Sequence, residues 1–273
     1  LWHVREEPSA WFEMYDDVHL GGIPFWPMGP FSGSFDGRGH RIIAWNHENP
    51  GRPASLFGDL VGGHIRDLVM DSPTVYGGQR SGVLASLVRQ GASIERVRVQ
   101  NAQITGTEGM FGGVVFRAEA GTSMVDVHFE GDIVSIEGGS VGGIAVRCDG
   151  HCERLITEGT LSTEAGDSVG GIVGGVGGSL RGCANHMDVR GGSSVGGIAG
   201  YMSDGSIEDC YSDGAVSGIH WIGGLVGESR GPPDTRIARS YAVGLLSATA
   251  PTTYIGTGGL LAQETFPIDV TDS

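Results

Sequence analysis

Carboxylates in successive repeats are the residues of this 273-residue chain best placed for acid–base chemistry. Glu137, Glu164 and Asp167 occur in neighbouring copies of a glycine-rich repeat described below. Two carboxyl groups about 5–10 Å apart can cleave a glycosidic bond, so a carbohydrate-active enzyme acting on a polysaccharide is one reading. Because carboxylates are also common at ordinary turns, we expect no catalytic residues and a protein that is not an enzyme.

The four cysteines could form disulfides or hold a metal. Cys183 and Cys210 take the same position in successive repeats, which would place their Cα atoms about 5 Å apart, within disulfide range. Cys148 and Cys152 flank a single corner. An even cysteine count favours an oxidising compartment, with four buried thiols as the alternative. A zinc site using His151 would lack a second close pair of ligands, so neither a metal nor a cofactor is predicted.

Composition excludes several partners. The 17 basic residues are all arginine, which removes phosphate-loop, Schiff-base and general-base lysines from consideration. The net charge of −15 argues against nucleic acid and anionic membranes. The sequence holds no apolar run of about 18 residues, so we expect no membrane insertion.

Glycine-rich hexapeptides recur along the chain at intervals of mostly 26 to 31 residues. They read SGVLAS (81–86), FGGVVF (111–116), VGGIAV (141–146), VGGIVG (169–174), VGGIAG (195–200), IGGLVG (222–227) and TGGLLA (257–262). A second apolar run follows each copy, as in IERVRV (94–99) and IEDCYS (207–212), and a third, weaker one closes the unit. Short apolar runs between glycines are typical of strands.

Three short strands per repeat can complete one turn of a coil, and the next repeat can stack on it about 4.8 Å away. The pattern therefore predicts an all-β fold, a right-handed parallel β-helix of about eight three-strand coils. Residues 1–54 are expected to form a short helix-and-strand cap with the first coil. Residues 55–262 would form the β-helix, and 263–273 a C-terminal tail or link.

The third position of the second run carries charges whose sign alternates wherever a charge is present. Stacking would bring opposite charges together as a structural ladder. The positions are Asp67, Arg96, Asp126, Arg154, Asp209 and Arg239, with Gly182 interrupting the series.

Aromatic residues near the last copies suggest a small binding surface. Trp221 and Tyr254 precede the final two glycine motifs, and His220 and Tyr201 are close to them in the pattern. Exposed aromatic rings bind sugars and other partners through their flat apolar faces. The alternative is a contact that covers the end of the solenoid.

The chain resembles bacterial surface proteins that carry GLUG repeats. FSGSFDGRGHRI (31–42) with ASLFGDLVGGHIRDLVM (54–70) resembles their opening, and VGGIAGYMSDGSIEDCYSDGAVSG (195–218) resembles the repeat. Such repeats occur in secreted or wall-attached proteins, including adhesin-like proteins and non-catalytic portions of secreted metalloproteases, whose H-E-x-x-H motif is absent here. The resemblance implies an extracellular or cell-surface structural or binding module. Its partners would be glycans, surface proteins or further copies of itself, joined end to end.

Overall fold

The chain winds into a solenoid with three parallel sheets, here called sheets A, B and C. The computed structural model describes residues 1–23, 26–49, 51–78, 80–106, 109–232, 235–249, 256–264 and 269–271. Each strand pairs in parallel with its equivalent one coil away, as β-helix stacking requires. The predicted all-β parallel β-helix of about eight coils is therefore confirmed.

The described residues contain one helix and 35 strands. The helix α1 spans Trp2–Glu6. Sheet A contains β1 (Trp11–Glu13), β2 (Val18–His19), β3 (Ser34–Asp36), β4 (Arg41–Ile43), β5 (Asn46–Asn49), β7 (His64–Asp71), β8 (Thr74–Gly77), β11 (Ser93–Gly106), β14 (Ser123–Ser135), β17 (His151–Glu153), β18 (Ile156–Thr163), β21 (Ser179–Arg181), β22 (Ala184–Arg190), β25 (Ser206–Glu208), β26 (Tyr211–Ser212), β27 (Val216–Gly218), β30 (Arg236–Ala238), β31 (Tyr241–Ala242), β32 (Leu246–Ala248) and β35 (Asp269–Thr271). Sheet B contains β6 (Leu60–Val61), β10 (Ala85–Arg89), β13 (Val115–Ala118), β16 (Ala145–Cys148), β20 (Val173–Val176), β24 (Ala199–Met202), β29 (Val226–Ser229) and β34 (Leu261–Glu264). Sheet C contains β9 (Ser81–Gly82), β12 (Met110–Gly112), β15 (Ser140–Gly142), β19 (Ser168–Gly170), β23 (Ser194–Gly196), β28 (Trp221–Gly223) and β33 (Gly256–Gly258).

The hydrophobic core runs along the axis of the solenoid. The first position of each second run stacks on its equivalent, so that Ile94 pairs with Met124 and Leu180 pairs with Ile207. These side chains are fully buried. A single coil cannot bury such a face, and stacking therefore supplies the core.

Strands are present near both ends of the solenoid. Strands β1 to β5 pair in parallel with one another or with later coils, within the segment expected to form the cap and first coil. At the other end β35 pairs with β30. In two coils the predicted second and third strands merge into the long strands β11 and β14.

The paired glycines at the corner between sheets C and B are required by close backbone approach. A Cβ on Gly170 would collide with the carbonyl oxygen of Val173, and one on Gly171 would collide with the carbonyl oxygen of Gly197. Neither glycine has a positive φ. Lack of a side chain, and not a left-handed backbone, is therefore the reason for these glycines.

Candidate functional site

The charged row predicted from the sequence follows a bend in sheet A, where its six members have φ between 48° and 56°. The structure brings them together as three two-bond arginine–aspartate pairs, Arg96 with Asp67, Arg154 with Asp126, and Arg239 with Asp209. Hydrogen bonds from these arginines hold the pKa of each aspartate carboxyl below its usual value. Because the carboxylates are neutralised in pairs, the row stabilises coil stacking rather than offering free acid groups.

Serines and two histidines, His64 and His151, share an outer row of sheet A. Ser179 lies 2.9 Å from Nδ1 of His151, whose Nε2 lies 3.1 Å from a carboxylate oxygen of Glu153. A hydroxyl, an imidazole and a carboxylate in this order can activate a nucleophile. The backbone N–H of Ser179, however, donates to Gly150 in the sheet, so it cannot also stabilise an oxyanion.

The same serine–histidine contact occurs three coils earlier without the acid. Ser93 lies 2.9 Å from Nδ1 of His64, and Arg66 occupies the position that corresponds to Glu153. The contact therefore arises from repeat stacking, and only one of the two copies includes a carboxylate.

The aromatic residues singled out from the sequence fall on two different sheets. His220 and Trp221 contact each other beside sheet C, with ring centroids 6.2 Å apart, whereas Tyr201 projects from sheet B. Trp221 pairs in register with Gly256. The sequence prediction treated Tyr254 as the equivalent of Trp221, which is two residues from the observed partner. Gly256, and not Tyr254, immediately precedes the last glycine motif, which begins at Thr257. Tyr254 itself lies outside the described residues.

An aromatic stack on sheet A was not predicted from the sequence. Tyr211 and Tyr241 are stacked one coil apart, with ring centroids 5.5 Å apart and planes within 10°. His186 packs edge-on against Tyr211, and its two nitrogens contact Asp213 and the Tyr211 hydroxyl. Both tyrosines occupy the fifth position of the second run, and this shared position was the available signal.

Tyr201 belongs to an interlocked polar cluster on sheet B. The guanidinium of Arg147 lies 5.5 Å from the Tyr201 ring and donates to its hydroxyl, to Ser203 and to Asp149. Arg117 donates to the same aspartate. These contacts join different coils, and the charged groups that make them already have partners.

The three carboxylates proposed for polysaccharide cleavage are exposed and lie outside strands. Glu137 follows β14, while Glu164 and Asp167 lie between β18 and β19. Turn positions of this kind are the ordinary place for such side chains.

The structure separates the four cysteines into two kinds. Cys148 and Cys152 form a disulfide, while Cys183 and Cys210 are free, buried thiols in adjacent coils. Each free sulfur points to a carbonyl oxygen of its own chain segment, Arg181 for the first and Glu208 for the second. Burial raises the pKa of the Cys183 thiol.

The described residues contain no group of three or more histidine, cysteine or acidic side chains arranged to hold a metal ion. They also contain no helix long and apolar enough to cross a membrane.

Comparisons with known proteins confirm the GLUG resemblance. The profile described as "The GLUG motif" matches residues 191–217. None of the curated proteins is similar enough to match the chain.

Two solved structures share the fold. A chain described as "a putative immunoglobulin A1 protease from Bacteroides ovatus" is 17% identical with a TM-score of 0.59, and the match covers 96% of this chain and 78% of that chain. A second, described as "IgA1 Protease", is 16% identical with a TM-score of 0.51, covering 93% of this chain and 20% of that chain.

These names contradict the prediction that the chain is not an enzyme. Both of the solved chains described above are named as proteases, so the fold and its repeats give no ground for excluding enzymatic activity. The physical reason is that a solenoid is a scaffold, and function is decided by the sites placed on it.

Proposed function

We propose that this GLUG-motif β-helix is part of an extracellular protein of the IgA1-protease kind and that its surface binds an immunoglobulin substrate. The observation that carries the proposal is the fold likeness over 96% of the chain to a solved chain with that name. The disulfide between Cys148 and Cys152 supports an oxidising, extracellular environment. The chain spans only 20% of the second solved relative, which is consistent with a β-helix that forms one portion of a larger protein.

The aromatic stack on sheet A is the part of the surface best suited to protein recognition. Tyr241 is 52% exposed, and the nearby Val243 and Leu245 are 71% and 73% exposed. Exposed tyrosines combine a large apolar area with a hydroxyl that can hydrogen-bond, which makes them frequent binding anchors. We define Tyr211, Tyr241, Val243 and Leu245 as the tyrosine patch.

Biolayer interferometry with immobilised IgA1 tests this proposal. We expect saturable binding that Tyr241→Ala weakens by about tenfold, because removing an aromatic anchor from an interface costs more than about 1 kcal/mol. The matched control is Tyr15→Ala, which removes a tyrosine that is 80% exposed at the opposite end of the solenoid. Absence of IgA1 binding by the wild-type chain would overturn the proposal.

A second candidate function is hydrolysis by the chain itself, which the Ser179–His151–Glu153 arrangement favours. In this reading His151 accepts the Ser179 hydroxyl proton at Nδ1, while Glu153 orients the ring through Nε2–H. IgA1 is incubated with the chain and fragments are followed by gel electrophoresis. Cleavage that is abolished by Ser179→Ala and unaffected by Ser93→Ala supports this candidate. Failure of the wild-type chain to cleave IgA1, or equal effects of the two variants, rejects it.

A further inference from the structure

A depression of about 320 Å³ lies near the N-terminal end of the solenoid. All four residues of β5 line it, together with Gly22, Ile23 and Trp26. Strand β5 pairs with β8 and with no other described strand. The depression therefore follows a strand that is paired on one side only.

A second depression of about 480 Å³ adjoins the first. Trp26 and His47 line both depressions. The second depression is also lined by Arg52, Ser55 and Asp59. Together the two spaces form a groove of mixed polar and apolar lining, which we call the Trp26 groove.

His47 contributes a buried nitrogen with no partner. Its side chain belongs to a residue only 5% exposed, and Nε2 has no hydrogen bond. Burial lowers the pKa of His47, an effect that hydrogen bonds to the backbone of Asn49 and Arg52 partly offset. The imidazole is therefore neutral near pH 7, with a ring nitrogen able to pair with a ligand hydroxyl.

A second orphan group lies beside the first. The indole nitrogen of Trp45 is buried without a partner, and its ring centroid is 6.1 Å from that of His47. A buried polar atom left without a hydrogen bond is destabilising, and the unpartnered Nε2 of His47, a residue that lines both depressions, therefore points to a missing polar partner.

The groove's chemistry matches a sugar ring. Trp26 is 51% exposed and offers an apolar face on which the C–H face of a sugar can pack. Asn46, Glu48 and Asn49 supply amide and carboxylate groups that hydrogen-bond to hydroxyls. Both depressions lie within the size range of small-molecule sites, and the charged lining residues Arg5, Arg52, Glu48 and Asp59 balance in sign, which favours a neutral saccharide.

We propose that the Trp26 groove binds a neutral saccharide, with Trp26 as the stacking platform and His47 as a buried hydrogen-bonding partner. This site is separate from the tyrosine patch and does not depend on immunoglobulin recognition. Its test uses free saccharides only, so it can fail or succeed independently of the proposed function.

The test is a titration of the folded chain with galactose, N-acetylgalactosamine, N-acetylglucosamine, mannose and lactose, followed by calorimetry and NMR. We expect at least one to bind, and Trp26→Ala to weaken its binding by about tenfold. Trp11→Ala is the matched control, because Trp11 is 65% exposed on sheet A, and we expect it to bind as wild type does. Binding should also shift an imidazole Nε2 resonance that is missing in His47→Phe.

Two outcomes would overturn the proposal. One is a panel in which no saccharide binds. The other is binding that Trp26→Ala and Trp11→Ala affect equally, which would place the sugar elsewhere. Because Trp26 is half exposed, its replacement should leave the thermal midpoint unchanged, and this measurement separates loss of the site from loss of the fold.

Discussion

The bend of sheet A shows how single residues stabilise the stack. Seven consecutive coils place one residue in the left-handed region at this bend, and Asp, Arg or Gly fills it. A left-handed residue other than glycine costs about 1–2 kcal/mol. Exposed ion pairs contribute roughly 0–1 kcal/mol, so an arginine–aspartate pair offsets only part of that strain. Gly182, with φ of 61°, occupies the bend without strain and without a charge.

Replacing Asp67 by glycine should be less harmful than replacing it by alanine. Both changes remove the contact with Arg96, but only glycine relieves the left-handed backbone, so we expect Asp67→Gly to exceed Asp67→Ala by about 1 kcal/mol in stability. Scanning calorimetry of the two variants measures the difference. Asp132 is the matched control, because it lies in β14 and has no positive φ. At this site we expect the alanine variant to be more stable than the glycine variant. The same order at both sites would contradict the explanation.

The paired aspartates also predict a pH dependence. The pKa values of Asp67, Asp126 and Asp209 are lowered below 3.8 in the folded chain. Their pairs therefore stabilise the fold fully above the unfolded pKa, and this contribution is lost as pH falls through the lowered folded values. Thermal midpoints are compared between the wild type and a triple Asp→Asn variant at these positions. The difference in thermal midpoint should be largest above pH 3.8 and should disappear in stronger acid. A difference that does not depend on pH would contradict the role given to these pairs.

At the scale of elements, the glycine-rich coil at residues 168–179 makes room for its neighbours' side chains. A Cβ on Gly175 would collide with the Tyr201 ring, and one on Gly177 would collide with Asp149. Arg147 thus reaches across this coil to Tyr201 and Ser203, two coils away. Because this coil carries small side chains here, side chains of the coils on either side of it can contact each other on sheet B.

Filling this space should therefore destabilise the solenoid. We expect Gly175→Val to lower the thermal midpoint by roughly 5 °C, because overpacking costs about 1–3 kcal/mol in a chain of this size. The double variant Gly175→Val/Tyr201→Ala should melt close to Tyr201→Ala alone, since the colliding ring is gone. Additive losses in the double variant would show that the glycine is needed for another reason.

At the scale of the whole molecule, coil stacking closes the interior to solvent. Cys183 is 0% exposed and Cys210 is 1% exposed, and both thiols lie between coils. Reagents can reach them only when coils separate, whereas Cys148 and Cys152 are already oxidised. Thiol labelling consequently reports on the integrity of the stack.

Labelling with a thiol reagent should modify no cysteine in the native chain. It should modify two after denaturation without reductant, and four after denaturation with reductant. Mass spectrometry of labelled peptides counts and locates the modified residues. Labelling of Cys183 or Cys210 in the native state would contradict their burial, and no labelling in the unreduced, denatured state would reveal a second disulfide.

The sequence by itself determined the architecture, because a repeat of fixed length with apolar runs between glycines can bury its core only by stacking. It also predicted which residues meet across coils, such as Asp67 and Arg96, since equivalent positions in adjacent repeats must face each other. Only the tertiary structure decided side-chain direction and corner geometry. That is why Cys183 and Cys210 remain free thiols although they occupy equivalent positions in adjacent coils, and why Trp221 pairs with Gly256. The Trp26 groove could not be read from the repeats, because it combines a non-repeating turn with β5, whose contact arises only when the chain folds back on itself.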